Sequence, residues 1–282
     1  MVISLAVAAG VLGLAAHMAL GQLRFYRGMA DVTAVRMQLD HASGIVTSLL
    51  WGTSPKSGDI IAALDTALEL RVTLGTAVTC ESSPGRITIP AATSSRGNSM
   101  GAYVESPEPG DHIAAFLDDS LPGWIALRVS SFPARGGGCA LFPTVAETWT
   151  LDLVEQIALP PGTALRFTRP LRLSFYRGSD GQWFLGARDW NGMTQRFNTI
   201  QPVAGPLRPY DGDVEKTGLL FSYFGSDGTP LNTPAEPARI AGVRVVTHGL
   251  SARAVQTPGI TTDPGARYSD SKVVSVAFRN AK

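Results

Sequence analysis

Charge is scarce in this sequence. Only 17% of its 282 residues are Asp, Glu, Lys or Arg, and the net charge is +1. There is therefore no basic excess to hold nucleic acid, and no acidic tail. Cysteine is nearly absent as well. Cys80 and Cys139 stand far apart with no CxxC pair, and the 4 histidines are scattered, so no zinc-ligand spacing exists. No HExxH helix, P-loop or dinucleotide fingerprint occurs. Proline is missing from residues 22–50, and no Lys or Arg precedes Arg24.

What the chain does have is a long apolar start. Residues 2–20 (VISLAVAAGVLGLAAHMAL) are almost entirely apolar, broken chiefly by Gly10, Gly13 and His17. As a helix this run would rise about 28 Å, close to the ~30 Å hydrocarbon thickness of a bilayer. Beyond it, Val32, Val35, Leu39, Ala42, Val46 and Leu49 follow steps of three and four, the apolar stripe of an amphipathic helix. Read as one rod of about 75 Å, the segment is expected to sit in lipid through Val2, Leu5, Val7, Val11, Leu14 and Leu20, and to pack its second half on a globular body. A cleaved secretory signal competes with this reading, but such signals need a basic n-region and a shorter apolar core. The orientation signals conflict. Arg24 and Arg27 follow the span, which by charge bias places the body in the cytoplasm. Two cysteines behind a membrane anchor point instead to an oxidising compartment. A basic segment upstream of Met1 would remove the conflict.

After the rod the texture changes. Gly52, Pro55 and Gly58 end the helix, and the remaining Gly and Pro residues mark short strands and turns. Strands are expected over 67–80, 86–90, 165–167, 171–176, 219–224, 240–247 and 273–278, with a hairpin pairing 111–117 and 124–130 across DDSLPG. Residues 60–66 begin in a helix-like pattern, 149–159 fits strand or short helix, and 203–213 and 255–271 are expected as connections. The strings SFYRGSDG and SYFGSDG predict two similar hairpins with Asp-Gly turns. The fold class expected is α+β: a long N-terminal helix, transmembrane half then amphipathic half, on an antiparallel β-sheet head. The domains follow as residues 1–51 for the membrane and assembly helix and 52–282 for the β-rich head.

The chemistry is sparse. Cys80 and Cys139, both beside Gly/Ser/Pro loops, fit one disulfide closing a long loop, which would contribute about 4 kcal/mol if unstrained; two buried thiols are the other reading. His112 lies beside Asp111 and near Asp118, Asp119 and Ser120, residue types that a Ser/His/Asp triad uses, but the surroundings read as a polar hairpin. Asp40 and His41 are neighbours on a helix and do not share a face. Asp180, Asp211, Asp213 and Asp227 offer oxygen ligands for calcium, yet their spacing fits no EF-hand and Asp-Gly is first a turn former. The glycines of 135–138 are too few for a phosphate loop. No catalysis, cofactor or metal is expected.

Three stretches carry a resemblance: VISLAVAAGVLGLA, the helix continuation LDHASGIVTSLLWG, and the ending RIAGVRVVTHGLSA…SKVVSVAFRN, with GLLFSYFGSDG before it. Together they resemble type IV pilin-like proteins, closest to the PilW-like minor pilins and the J-type minor pseudopilins of type II secretion. The resemblance covers both ends and little of residues 80–160. It implies a non-catalytic filament subunit of a pilus, competence or secretion system, with its head outside the cytoplasm, in the periplasm or at the cell surface. Its partners would be other pilin or pseudopilin subunits through the helix, an inner-membrane assembly platform, membrane lipid, and a prepilin peptidase acting on an upstream leader. The family's cleavage Gly and the Glu at the fifth mature position have no counterpart here, so a start upstream of Met1 is expected. A single-pass envelope binding protein with a non-polymerising head is the alternative, and an anchored hydrolase resting on His112 a third.

Overall fold

The computed structural model describes residues 2–91, 100–117, 123–213, 216–255 and 266–278; the side chains of residues 2, 4–7 and 9 fall outside that description. Helix α1 (Val2–Trp51) runs unbroken for 50 residues. Its second half carries the expected stripe. Val32, Val35, Leu39, Ala42, Val46 and Leu50 are all buried; the last contact falls on Leu50, with Leu49 only partly covered.

The body is built from β1 (Ile60–Ala63), β2 (Ala67–Val78), β3 (Glu81–Ser83), β4 (Arg86–Pro90), β5 (Gly101–Tyr103), β6 (His112–Leu117), β7 (Gly123–Arg128), β8 (Ala134–Gly136) and β9 (Thr148–Asp152). It continues with β10 (Ala164–Arg177), β11 (Trp183–Asn191), β12 (Arg196–Phe197), β13 (Gln201–Leu207), β14 (Leu219–Phe224), β15 (Pro230–Leu231), β16 (Gly242–Ala254) and β17 (Arg267–Ala277). Thirteen of these strands form one sheet, ordered β1-β2-β10-β11-β13-β16-β14-β15 along its main path, with β17 on β16 and β6 on β10. A second sheet of four strands runs β3-β4-β9-β8.

Two apolar cores result. Helix α1 lies across β13, β16 and β17, and its stripe joins Leu68, Leu70, Leu173, Phe221 and Val245 in the first core. The second core sits between the smaller sheet and β6 and β7, and contains Ile87, Ile89, Ile113, Leu127, Leu151 and Phe167. The long strands β2 and β10 belong to both. Their pairing shifts register between Phe167 and Thr168, a bulge that bends a sheet as it passes from one packing partner to another.

Strand accounts for 46% of the chain and helix for 20%. The α+β expectation of a pilin-like helix on a small head is thereby corrected to a large, mostly antiparallel, sandwich-like β body with one N-terminal helix. The membrane-spanning half is corrected with it. Among the described residues no helix is long and apolar enough to cross a membrane.

Smaller expectations shift too. Residues 60–63 are strand, not helix. Residues 203–207, expected as connection, belong to β13. The hairpin of β6 and β7 forms in register, Ala114 opposite Ala126. Both Asp-Gly hairpins form, with Gly181 and Gly228 in the left-handed region at φ 79°, where a side chain would be strained.

Candidate functional site

Residues 2–27 of α1 extend beyond the body, and their described side chains are all exposed. Of the residues expected in the membrane and assembly helix, Val11, Leu14 and Leu20 are 61%, 68% and 53% exposed. The side chains of Val2, Leu5 and Val7 lie outside the described residues. Leu12, Met18, Leu23 and Phe25 are exposed with them. Isolated surface leucines are ordinary, but a continuous apolar surface marks a place where something binds. The second half of the same helix has its partner. It meets Gly249 of β16, where an added Cβ would stand 2.7 Å from Val35 Cγ1; only glycine lets helix and strand approach so closely.

The two cysteines are joined. Cys80 and Cys139 form a disulfide with Cα atoms 5.5 Å apart, and both are buried beside Val145. The bond ties the entry of β3 to the loop after β8.

The residues around His112 do not assemble a triad. Asp118, Asp119 and Ser120 lie outside the described residues. Asp111 is buried and committed elsewhere: Arg169 donates Nε to its Oδ1 at 2.7 Å and Nη2 to its Oδ2 at 2.9 Å, and the Glu108 N–H donates to Oδ2 at 2.7 Å. This fork holds the loop before β6 and leaves Asp111 no role in orienting an imidazole. Asp40 pairs with Lys272 of β17, and the His248 Nδ1 lies 2.7 Å from the Thr217 carbonyl. Asp180 Oδ1 accepts the Gln182 N–H, and Asp227 Oδ1 accepts the N–H and hydroxyl of Thr229, so both act as turn formers. Among the described residues no three His, Cys, Asp or Glu side chains are grouped to hold a metal ion. The sequence also holds one Gly-x-Ser-x-Gly string, Gly97 to Gly101. Its Ser99 lies outside the described residues, and the strand β5 follows it rather than the helix that a nucleophile elbow requires.

What the spacing of residues does not reveal is a cleft of about 370 Å³ between the end of α1 and the β6–β7 hairpin. Its walls include Ser54, Ser57, Asp59, Arg71, His112, Trp124, Arg128, Glu155 and Arg166. Arg166 is fully used. It donates Nη1 to Asp59 Oδ2 at 2.8 Å, Nη2 to the Gly52 carbonyl at 2.7 Å, and Nε to Thr73 Oγ1 at 3.0 Å. A guanidinium just past a helix C-terminus meets the negative end of its dipole, so this residue seats the end of α1. Asp59 also accepts the Ser54 N–H at 2.7 Å. Glu155 accepts the Arg128 N–H at 2.7 Å and lies 3.7 Å from its Nε. Arg71 is different. It donates Nη1 to the Gly58 carbonyl at 2.7 Å, while its Nε is buried without a partner. Leaving a buried donor unmet costs roughly 1–3 kcal/mol. Burial lowers the pKa of His112, and the charges of Arg71 and Arg128 lower it further, against the opposing pull of Asp111 and Glu155.

The chain matches no family model, no curated protein and no solved structure.

Proposed function

We propose that this chain is a non-catalytic assembly subunit, acting as a minor pilin or pseudopilin does in a pilus, competence or secretion filament. Residues 2–27 of α1 join it to the corresponding helices of neighbouring subunits. The observation that carries the reading is the contrast within α1: the helix continues about 39 Å past its packed half, rich in apolar residues up to Leu23, and its described side chains there are all exposed. Burying side chains such as Val11, Leu14 and Met18 contributes roughly 1.5–3 kcal/mol each when fully covered, and a helix already held at one end loses little further entropy on docking. The second half fixes the direction in which the free half points, as an assembling subunit needs. The Cys80–Cys139 bond supports a head outside the cytoplasm, since such bonds persist in oxidising compartments. An inner-membrane assembly platform, membrane lipid and a processing peptidase belong to the same proposal.

The test is photocrosslinking from residue 14 in the full chain, expressed in its native cell. The expected result is adducts in which α1 is joined to α1 of another subunit. Adducts to lipid alone, or none, would overturn the proposal in favour of an envelope binding protein that never polymerises.

A further inference from the structure

We propose that the cleft between the end of α1 and the β6–β7 hairpin binds a small organic oxyanion, a carboxylate or phosphate carried on a ring, with Arg71 as its charge partner and Trp124 as its stacking wall. The charge inventory leads there. Three guanidiniums, those of Arg71, Arg128 and Arg166, line the cleft with two carboxylates, those of Asp59 and Glu155. Arg166 and Asp59 satisfy each other, and Arg128 faces Glu155. Arg71 makes no ion pair among the described residues and keeps a buried Nε–H unmet, so one positive charge is left over. His112 in the same wall has its pKa lowered first by burial and then by Arg71 and Arg128, against Asp111 and Glu155.

The rest of the wall suits an organic anion better than a bare ion. Trp124 lines the cleft and is 55% exposed, and its ring packs against that of Phe116 at 5.3 Å between centroids. A ring stacked there presents an attached oxyanion to guanidinium donors, the arrangement in which a planar fork recognises oxygens bidentately. Ser54 and Ser57, whose hydroxyls lie 3.1 Å apart, add short neutral donors at the rim. The cleft's volume falls at the small end of the ~300–1,000 Å³ usual for ligand sites, enough for one ring and its acidic group. Carboxylate and phosphate share this chemistry, and the probes separate them.

The test is calorimetric titration of the full chain in mild detergent with phenyl phosphate, benzoate and inorganic phosphate, with chloride at matched ionic strength as control. One or both ring-bearing probes are expected to bind at least about tenfold more tightly than inorganic phosphate, the gain of a stacked ring. Arg71→Gln should weaken the preferred probe about tenfold, the loss of one charge-assisted contact. Trp124→Ala should erase the advantage of the ring and leave inorganic phosphate unchanged. Arg128→Gln, on a half-exposed side chain, gives a second reading if Arg71→Gln does not fold by circular dichroism; a loss of about threefold is expected for this weaker contact. No heat from any probe beyond the chloride control would overturn the proposal. So would full affinity in folded Arg71→Gln, or in Arg128→Gln and Trp124→Ala together.

Discussion

The two halves of α1 share one backbone geometry and little else. Residues 28–51 bury one stripe against β13, β16 and β17 and leave a mixed face, with Arg36, Asp40 and His41 beside the exposed Met37, toward solvent. Residues 2–27 are mostly apolar up to Leu23, with Arg24 and Arg27 after it, and no described side chain among them is covered. The difference teaches where helix stability comes from. Packing holds the second half in place. The first half owes its conformation to propagation from a docked neighbour, helped by good helix formers such as Ala and Leu. Such an extension carries an apolar surface that the described residues do not cover.

The sharpest way to break the comparison is to put the same charge in each half. Leu39→Asp places an unpaired carboxylate in the first core, where Leu39 is 2% exposed. A loss of about 4 kcal/mol or more in denaturant unfolding is expected, which is the size reached when a buried charge replaces a core side chain. Leu14→Asp should change the stability of the body by less than about 0.5 kcal/mol, while abolishing the α1-to-α1 crosslinks. Equal losses from both would show that the free half packs on the body after all. A smaller effect tests the close approach. Gly249→Val pushes a side chain toward Val35 Cγ1 and Leu39 Cγ, which would lie 2.7 and 3.3 Å from the new Cβ. Overpacking of this kind costs roughly 1–3 kcal/mol. The midpoint of unfolding should fall, and hydrogen exchange should rise in residues 28–51 in particular.

Much of the fold was legible where the signal was local. The steps from Val32 to Val46 predict the buried stripe because helical period and packing face coincide; the last contact moved from Leu49 to Leu50 at the end of the helix. The GSDG strings predict their hairpins because the left-handed glycine is specified by the turn itself. The extent of the sheet was not legible. Pro206, Pro209 and Asp211-Gly212 read as breakers, yet β13 passes through Pro206 with a pairing to β11 that shifts register twice, which is how a strand tolerates residues without an N–H. The cleft was invisible for a different reason. Ser54, Arg71, His112, Trp124, Glu155 and Arg166 come from six separated places in the chain, and only tertiary structure collects them. The one hint in the sequence was arginine at strand positions among apolar neighbours, as in LELRVTL and LRFTRPL. The disulfide needed no spacing rule, because two cysteines allow one pairing.

The finest version of the comparison concerns what sets the register of the packed half. Arg36 and Asp40 lie one turn apart on α1, and they face Asp270 and Lys272, two residues apart on β17. Sliding the helix by one turn would bring Asp40 toward Asp270, so the alternation of sign opposes the slip even though exposed pairs stabilise little. Asp270 reports on this seam. Its Oδ2 accepts the Tyr268 hydroxyl at 2.7 Å and the Arg36 Nε–H at 3.2 Å, and its Oδ1 accepts the Ser271 N–H at 2.9 Å. The Tyr268 bond first, then Ser271 and Arg36, hold its carboxyl below the ordinary aspartate range. A depressed carboxylate contributes stability that is present above the unfolded pKa of about 4 and lost as pH falls below it. Asp270→Asn should therefore flatten the acid limb of the stability curve below about pH 4 and leave the neutral limb changed less than either core substitution changes it. The acid limb of Leu14→Asp should keep the wild-type contribution of Asp270, because the free half of the helix takes no part in this seam. An acid limb unchanged in Asp270→Asn would mean that the alternating charges do not hold the helix in place, and that Gly249 and the apolar stripe set its register alone.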